Sequence, residues 1–452
     1  MAALPGDEPE KKTKADRGEH PKGDEGAAPD SVEAALDRLM KPVKPVKIGP
    51  TDLTIGGEFR YRYEHLYDYD MNYRTGDGDG FNLFRTRLNA DWDIAKFLAA
   101  RIQVQDAETT DFRRYPDPST LEDLLDIREL FLDVRPIGDK RLTFRGGRQV
   151  LVYGDQRLVG TSEWSNVSRP FDALRMIYDI EDIRLDLFAA KEVIVEDEHA
   201  NWPVGADWLY GSYLTWKTFP FGAADVYYFW RKNTGDVVRG GDGVLGDLET
   251  HTVGFRLKGE IVKDLDYSAE LAGQVGDWGT DSHEAWALSS TLGYTFTSLP
   301  MDPRLGVGYY HASGDKDPTD DVHETFDNLF PANHPFYGYM DLFSWRNMED
   351  LAFYLDVKPA KKLKAGLAFH IFHRDARRDA WYNAAGGVIL AYPLGQGPTN
   401  VGQEIDVTLQ YELNKYVTTE AGYGHFFTGG FPKQFGPGDD IDWFYIQTVL
   451  KF

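Results

Sequence analysis

The sequence has no cysteine, which excludes disulfides, thiolate metal sites and cysteine nucleophiles. No apolar run reaches the roughly 18 residues that a membrane-spanning helix needs. Basic residues are fewer than acidic ones, and the net charge of −24 argues against nucleic acid as the main partner. Gly-x-Ser-x-Gly, His-Glu-x-x-His and glycine-rich phosphate loops are also missing, and no domain break appears. These absences favour a protein that is not an enzyme and holds no cofactor.

Aromatic residues and glycine are abundant, with 27 Phe, 25 Tyr, 11 Trp and 45 Gly. From Leu53 to the last residue, short stretches alternate apolar and polar residues, which is the period-2 pattern of β-strands. The pattern predicts eighteen strands, at 53–67, 81–95, 97–111, 127–136, 140–150, 170–179, 183–193, 208–219, 222–231, 250–262, 265–276, 284–297, 303–313, 349–358, 363–374, 403–413, 416–427 and 442–452.

The predicted connections alternate strictly in length. Even-numbered ones are very short, such as PIGD, PFG and AKK, whereas odd-numbered ones include the long polar segments 314–348 and 375–402. Short turns at one end and long loops at the other are typical of an outer-membrane barrel. The sequence therefore predicts an all-β fold over residues 51–452: a transmembrane antiparallel β-barrel of about 18 strands with short periplasmic turns and long extracellular loops.

The first predicted strand indicates what its two faces meet. Its charged residues alternate with aromatic ones: Glu58, Arg60, Arg62 and Glu64 with Phe59, Tyr61 and Tyr63. A face this charged cannot be a packed core, so we expect it to line a lumen while the apolar face meets lipid. The chain ends in an aromatic strand that finishes at Phe452, as bacterial outer-membrane barrels typically do. We expect outer-membrane lipid and the barrel-assembly machinery, which recognises such a strand, as partners.

Residues 1–50 differ from the rest of the chain. They are charged, rich in Pro and Gly and nearly free of apolar residues, so we expect disorder there, with one short helix at 31–40 as an exception. The first residues have neither a basic region nor an apolar region, and so do not form a signal peptide. The outer membrane remains the expected location.

The stretch Leu142–Tyr178 holds two alternating segments around a loop dense in Gly, Arg, Asp, Gln and Trp. A bulge at Gly146-Gly147 would shift the parity and aim Arg148 to the same side as Arg145. The alternative is an exposed hairpin whose arginines are solvated.

With these residues in view, the chain resembles the alginate export family of outer-membrane porins over residues 53–452. The most specific parts are GGRQVLVYGDQRLVG followed by Trp164 and by Arg169 to Arg175, then FDNLFPANHPFYGYMD, VGQEIDVTLQYEL and the terminal aromatic strand. Arg148 and Gln149 match the family's Gly-Arg-Gln element, and Glu404 and Asp406 match its Gln-Glu-x-Asp element. The resemblance implies an eighteen-stranded barrel whose lumen carries arginines for a polyuronate, and periplasmic export partners are a further expectation.

A set of cations is predicted to line the lumen and to contact the substrate. Arginine suits this role because its planar fork pairs with carboxylates and stays charged. The set comprises Arg60, Arg62, Arg85, Arg87, Arg101, Arg145, Arg148, Arg157, Arg175, Arg184, Arg256, Lys364 and Arg374. Asp155, Glu404 and Asp406 are predicted as acidic partners that orient these cations. The alternative is that such pairs only brace the barrel.

Two loops complete the prediction. The loop with Asp155, Gln156 and Arg157 is expected to fold inward and narrow the pore, the alternative being an ordinary extracellular loop. The segment 314–348 is expected to cover the mouth. Its acidic residues are either solvated or bind Ca²⁺: Asp315, Asp317, Asp320, Asp321 and Glu324.

The function predicted from the sequence is a channel for passive diffusion or export of an anionic polysaccharide, an alginate-like polyuronate, through an arginine-lined lumen. One alternative is a porin for small sugars or organic anions. Another is an enzyme active at the barrel rim, since a glycoside hydrolase needs only two carboxylates.

Overall fold

The structure is a computed structural model that describes residues 45–49, 51–68, 71, 78–112, 121–136, 141–196, 199–392, 394–395 and 397–452. Residues 1–44 of the segment predicted to be disordered, with the helix predicted at 31–40, lie outside the described residues. Disorder is wrong for Val46–Ile48, which form a short strand. Within these ranges, no helix is long and apolar enough to cross a bilayer.

Eighteen antiparallel strands of the described chain form one sheet. They are β1 Thr51–Tyr67, β2 Asp79–Ala95, β3 Leu98–Thr110, β4 Asp123–Val134, β5 Leu142–Gln149, β6 Phe171–Asp179, β7 Ile183–Ile194, β8 Asp207–Phe219, β9 Gly222–Arg239, β10 Leu245–Val262, β11 Leu265–Trp278, β12 Asp281–Thr295, β13 Arg304–Ala312, β14 Met348–Ala360, β15 Leu363–His373, β16 Asn400–Glu412, β17 Val417–Thr428 and β18 Ile441–Lys451.

The sheet closes on itself, because β1 pairs with β18 from Glu58 opposite Lys451 to Tyr67 opposite Asp442. Backbone hydrogen bonds between Gly57 and Phe452 extend this seam. The predicted eighteen-stranded barrel is therefore confirmed, and most strand ends fall within a few residues of their predicted positions. β9 and β10 are longer than predicted at their loop ends.

Small elements decorate the loops and the entry to the barrel. Val46–Ile48 pairs with β1, Trp202–Pro203 pairs with β7, and Val322–His323 lies parallel to β12. Trp381–Tyr382 and Val388–Leu390 form a separate hairpin, and Gly430–Phe435 is a short helix.

The two faces of the wall follow the alternation in the sequence. In β12, Trp286 is 46% exposed on the outside, whereas its neighbours Ala285 and Ala287 are buried inside. Outward apolar side chains of this kind suit contact with lipid, and they recur around the barrel.

Loops fill much of the lumen. Segment 150–170, here called the inner loop, pairs by backbone hydrogen bonds with segment 313–347, the second inner loop: Phe330 N donates to Leu158 O (2.8 Å) and Gly160 N donates to Phe330 O (2.9 Å). Val159, Phe330 and Trp345 of these loops are buried in an apolar core that also includes inward residues of β6 to β9. The second inner loop therefore fills the interior, rather than only covering the mouth as predicted.

Candidate functional site

Five arginines of the wall converge on the inner loop at the side of the barrel formed by β1, β2 and β4. They are Arg60, Arg62, Arg85, Arg87 and Arg128, here called the arginine cluster, and all are buried. Glu163 of the inner loop lies among them: its carboxylate is 2.5 Å from Arg128 Nη2, 2.7 Å from Arg87 Nη1 and 3.5 Å from Arg85 Nη2. Desolvation of the carboxylate by the surrounding wall raises the pKa of Glu163, but Arg87, Arg128 and Arg85 outweigh this effect and lower the pKa to about 2.

The arginine cluster keeps an excess of positive charge. Besides Glu163, its carboxylate partners are Glu58 on Arg85 (2.6 Å), Glu64 on Arg62 (2.7 Å) and Glu129 on Arg128 (3.7 Å). Five guanidinium groups therefore face four carboxylates.

Arg60 is the member of the cluster whose charge is not neutralised by a nearby carboxylate among the described residues. It donates to the carbonyl oxygens of Glu163 (2.8 Å) and Ser165 (3.0 Å) and to Asn166 Oδ1 (3.0 Å), and within the described part of the chain it has no carboxylate at ion-pair distance.

Arg128 was missed by the sequence pattern for a structural reason. The register between β3 and β4 shifts between Gln103, which faces Glu129, and Val104, which faces Ile127, so Arg128 is the extra residue of a bulge. The bulge turns Arg128 inward together with its neighbour Glu129. Because a simple period-2 count gives neighbours opposite faces, it cannot find this pair.

An aromatic stack joins the two inner loops beside the cluster. The Arg62 guanidinium lies 3.8 Å from the Trp164 ring centroid and donates to Trp164 O (2.7 Å). Trp164 in turn stacks on His334 with ring centroids 3.9 Å apart. Trp164 belongs to the predicted family motif, but nothing in the sequence indicated that it would meet His334.

The predicted inward loop does cross the barrel. Asp155 accepts hydrogen bonds from Arg256 (2.7 Å), Lys258 (2.8 Å) and Ser268 (3.1 Å) on β10 and β11, at a distance from the cluster. Burial opposes ionisation of Asp155, but the bonds from Arg256 and Lys258 dominate and hold its pKa below the usual range. The inner loop therefore lies inside the lumen, as predicted, and is not an ordinary extracellular loop.

Arg157 anchors the middle of the inner loop. It is buried, its guanidinium lies 3.8 Å from the Phe336 ring centroid, and it donates to Tyr337 Oη at 3.3 Å. Glu270 Oε2 lies 3.7 Å away. In this structure Arg157 connects the two inner loops.

The other predicted cations with an inward direction are each paired with a carboxylate of the wall. The pairs are Arg101 with Asp91 (2.7 Å), Arg145 with Asp133 (2.7 Å), Arg175 with Asp186 (2.8 Å), Arg184 with Asp179 (3.4 Å), Arg256 with Asp225 (2.5 Å) and Lys364 with Glu412 (2.5 Å). The bracing alternative therefore describes the contacts of these individual side chains.

Arg148 lies elsewhere than predicted. β5 pairs with β4 and β6 without a register shift, so no bulge exists at Gly146-Gly147 and that prediction is wrong. Arg148 consequently faces the side opposite to Arg145, where it binds Asp172 (2.9 Å) and Asn201 O (2.9 Å). Glycine is required at position 147 for the backbone itself: φ is +129°, and a Cβ there would lie 2.2 Å from Leu130 O.

Arg374 follows the end of β15 and is fixed by loop carbonyls, including Arg377 O and Asp379 O at 2.9 Å each, and by the Phe431 ring. It therefore belongs to the loop packing at the end of the strand and not to the lumen cations.

The acidic pair of β16 also differs from its prediction. Glu404 and Asp406 are buried, and they accept hydrogen bonds from the backbone N–H groups of Met340 (2.9 Å) and Tyr339 (3.3 Å). They hold the second inner loop and do not orient the arginines. Gly338, with φ +82°, is required between them, because a Cβ would lie 2.4 Å from Glu404 Oε1.

The acidic residues of the second inner loop have separate partners. Asp317 forms an ion pair with Arg378 (2.6 Å), and its backbone N–H donates a hydrogen bond to Asp315 Oδ1 (3.1 Å). Burial and the nearby Asp379 raise the pKa of Asp315 to about 7. In the described part of the chain, the acidic residues predicted for Ca²⁺ do not form a group of three that could share an ion.

Solved structures resemble this barrel along nearly its whole length. A BenF-like porin from Pseudomonas fluorescens Pf-5 has 10% identity and a TM-score of 0.61, covering 88% of this chain and 98% of that one. OccAB2 of Acinetobacter baumannii (10%, 0.59, 88% and 98%) and OccK11 (OpdR) of Pseudomonas aeruginosa (15%, 0.54, 88% and 96%) are similar. At such identities the likeness shows the fold alone.

The closed barrel and its inward loops define an outer-membrane channel of the porin type. The family model described as alginate export matches residues 51–440, so the chain belongs to the alginate export family, as its motifs predicted. Both the family and the fold are those of channels and not of enzymes. A comparison with curated proteins finds no match.

Proposed function

We propose that this protein passes an anionic polysaccharide, an alginate-like polyuronate, across the outer membrane through the space beside the arginine cluster. The observation that carries the proposal is the excess charge: five guanidinium groups face four carboxylates, and Arg60 has only neutral partners among the described residues. A net cationic patch inside a low-dielectric wall lowers the energy of a passing carboxylate.

Ion pairing within the cluster suits transport better than tight binding. Four of the five guanidinium groups already have a carboxylate partner, so at these positions a uronate exchanges one carboxylate for another and is not trapped. The half-exposed side chain of Glu163 is the acid with which an incoming anion would compete. A series of such exchanges would let a polyanion move stepwise.

The filled lumen supports the second candidate, a porin for small sugars or organic anions. The two inner loops pack an apolar core across much of the barrel, so a path beside them would be narrower than the lumen of an unobstructed barrel. A single extended polysaccharide chain is itself only one sugar wide, so a narrow path suits both candidates.

Single-channel current in planar bilayers tests the proposal. We expect anion-selective current that oligouronates interrupt, whereas neutral oligosaccharides of equal length do not. Interruption by small solutes alone would favour the second candidate. Arg60→Gln should weaken interruption by oligouronates, and Arg148→Gln is the matched control because it removes an arginine from the opposite face of the wall.

A further inference from the structure

A histidine and two carboxylates meet on the outside of the barrel, away from the lumen. His311 is the penultimate residue of β13, and Glu349 of β14 lies directly opposite it. Both face outward, because they share the side of the exposed Tyr309 and Leu351, whereas Tyr310 and Asp350 between them are buried inside. Asp375, two residues beyond β15, completes the group at the extracellular end of the wall.

The three side chains have the geometry of ligands, and Asp375 also accepts a hydrogen bond at its Oδ2 atom from Gly314 N (3.1 Å). One nitrogen or oxygen from each lies within 4.8 Å of those of the other two. His311 Nδ1 is 3.9 Å from Glu349 Oε1, which is too long for a hydrogen bond. In a tetrahedral Zn²⁺ site with metal–ligand distances near 2.1 Å, two ligand atoms lie about 3.4 Å apart, so side-chain rotations that close the group by roughly 1 Å are needed.

The His311 imidazole is buried and has an unpartnered nitrogen. It is only 6% exposed, because Trp286 stacks against it at 4.2 Å between ring centroids, and its Nε2 atom is buried with no hydrogen-bond partner. A buried polar atom without a partner is destabilising, so other contacts must hold the ring in this position. The stacked Trp286 holds the imidazole in place beside the two carboxylates.

We propose that His311, Glu349 and Asp375 bind a divalent transition-metal ion such as Zn²⁺ on the outer rim of the barrel. One imidazole and two carboxylates supply three ligands, and a borderline-soft ion accepts this mixture, whereas Ca²⁺ and Mg²⁺ take oxygen ligands. The remaining coordination position faces outward, where water completes the shell. The ion would join β13, β14 and the start of the loop after β15.

Calorimetric titration of the tag-free, folded protein in detergent with ZnSO₄ tests the site. We expect one rim ion per chain, bound at least tenfold more weakly by His311→Gln, Glu349→Gln and Asp375→Asn. His251→Gln is the matched control, since His251 also lies 3.8 Å from a carboxylate, that of Glu249, but belongs to no such group of three in the described residues.

Folding of each variant is checked by its heat-dependent electrophoretic mobility. If His311→Gln fails to fold, the two carboxylate variants decide the question, and the visible spectrum of the Co²⁺-loaded protein reports whether nitrogen is a ligand. Unchanged Zn²⁺ affinity in the folded variants, or an equal loss in His251→Gln, would overturn the proposal.

Discussion

Removal of the Glu163 charge is the sharpest perturbation of the lumen. Glu163→Gln keeps the shape of the side chain but leaves five arginines facing three carboxylates. An anion that passes about 4 Å from this position would be relieved of about 1 kcal/mol of repulsion in water-like surroundings and about 4 kcal/mol at an effective dielectric constant of 20. Because about 1.36 kcal/mol corresponds to a factor of ten, anion over cation permeability should rise at least about fivefold.

Reversal potentials under a salt gradient in planar bilayers measure this ratio. Asp172→Asn is the matched control, because Asp172 pairs with Arg148 on the face opposite to the lumen. The increase should shrink at high salt, since the Debye length falls from about 10 Å at 0.1 M to about 3 Å at 1 M. An intact channel with unchanged selectivity in Glu163→Gln would refute the place given to the arginine cluster beside the path.

Three further predictions concern the wall and the loops. Joint replacement of Arg85 and Arg87 by Gln should lower anion selectivity in the same assay, and unaltered selectivity would contradict it. Gly147→Ala should destabilise the barrel by about 1–3 kcal/mol through a clash with the backbone of β4, measured by urea unfolding in detergent, whereas Gly205→Ala, with open space around it, should be near neutral. The pKa of Asp315 is raised to about 7 in the folded state, so the protonated carboxyl stabilises the fold fully below about pH 4, and this contribution is lost as pH rises through 7. Asp315→Asn should therefore reduce the fall in melting temperature between pH 5 and pH 8. A fall as large as that of the unsubstituted protein would contradict this prediction.

The barrel itself could be predicted from the sequence because its causes are local. Alternation along each strand and the alternating lengths of the connections depend on neighbouring residues, and both survive in the structure. The direction of most lumen arginines followed from the same count, as with Arg60 and Arg85, which lie opposite each other on β1 and β2.

The site was less predictable because its contacts are long-range. The bulge at Arg128 and the unbroken register at Arg148 depend on how β4 pairs with both neighbours, which no count along one strand reveals. Likewise, Glu404 and Asp406 were expected to meet arginines but meet the backbone of Tyr339 and Met340. Which loop fills the lumen is decided by tertiary packing.

Flux through reconstituted liposomes tests the central claim most directly. Vesicles are loaded with a labelled oligouronate and a neutral oligosaccharide of equal length, and the release of each is followed after the protein is inserted. The account predicts that the oligouronate leaves faster than the neutral sugar, and that replacing Arg60 and Arg85 by Gln removes the difference. Equal release of both sugars, or retention of the oligouronate in vesicles that conduct small ions, would contradict it.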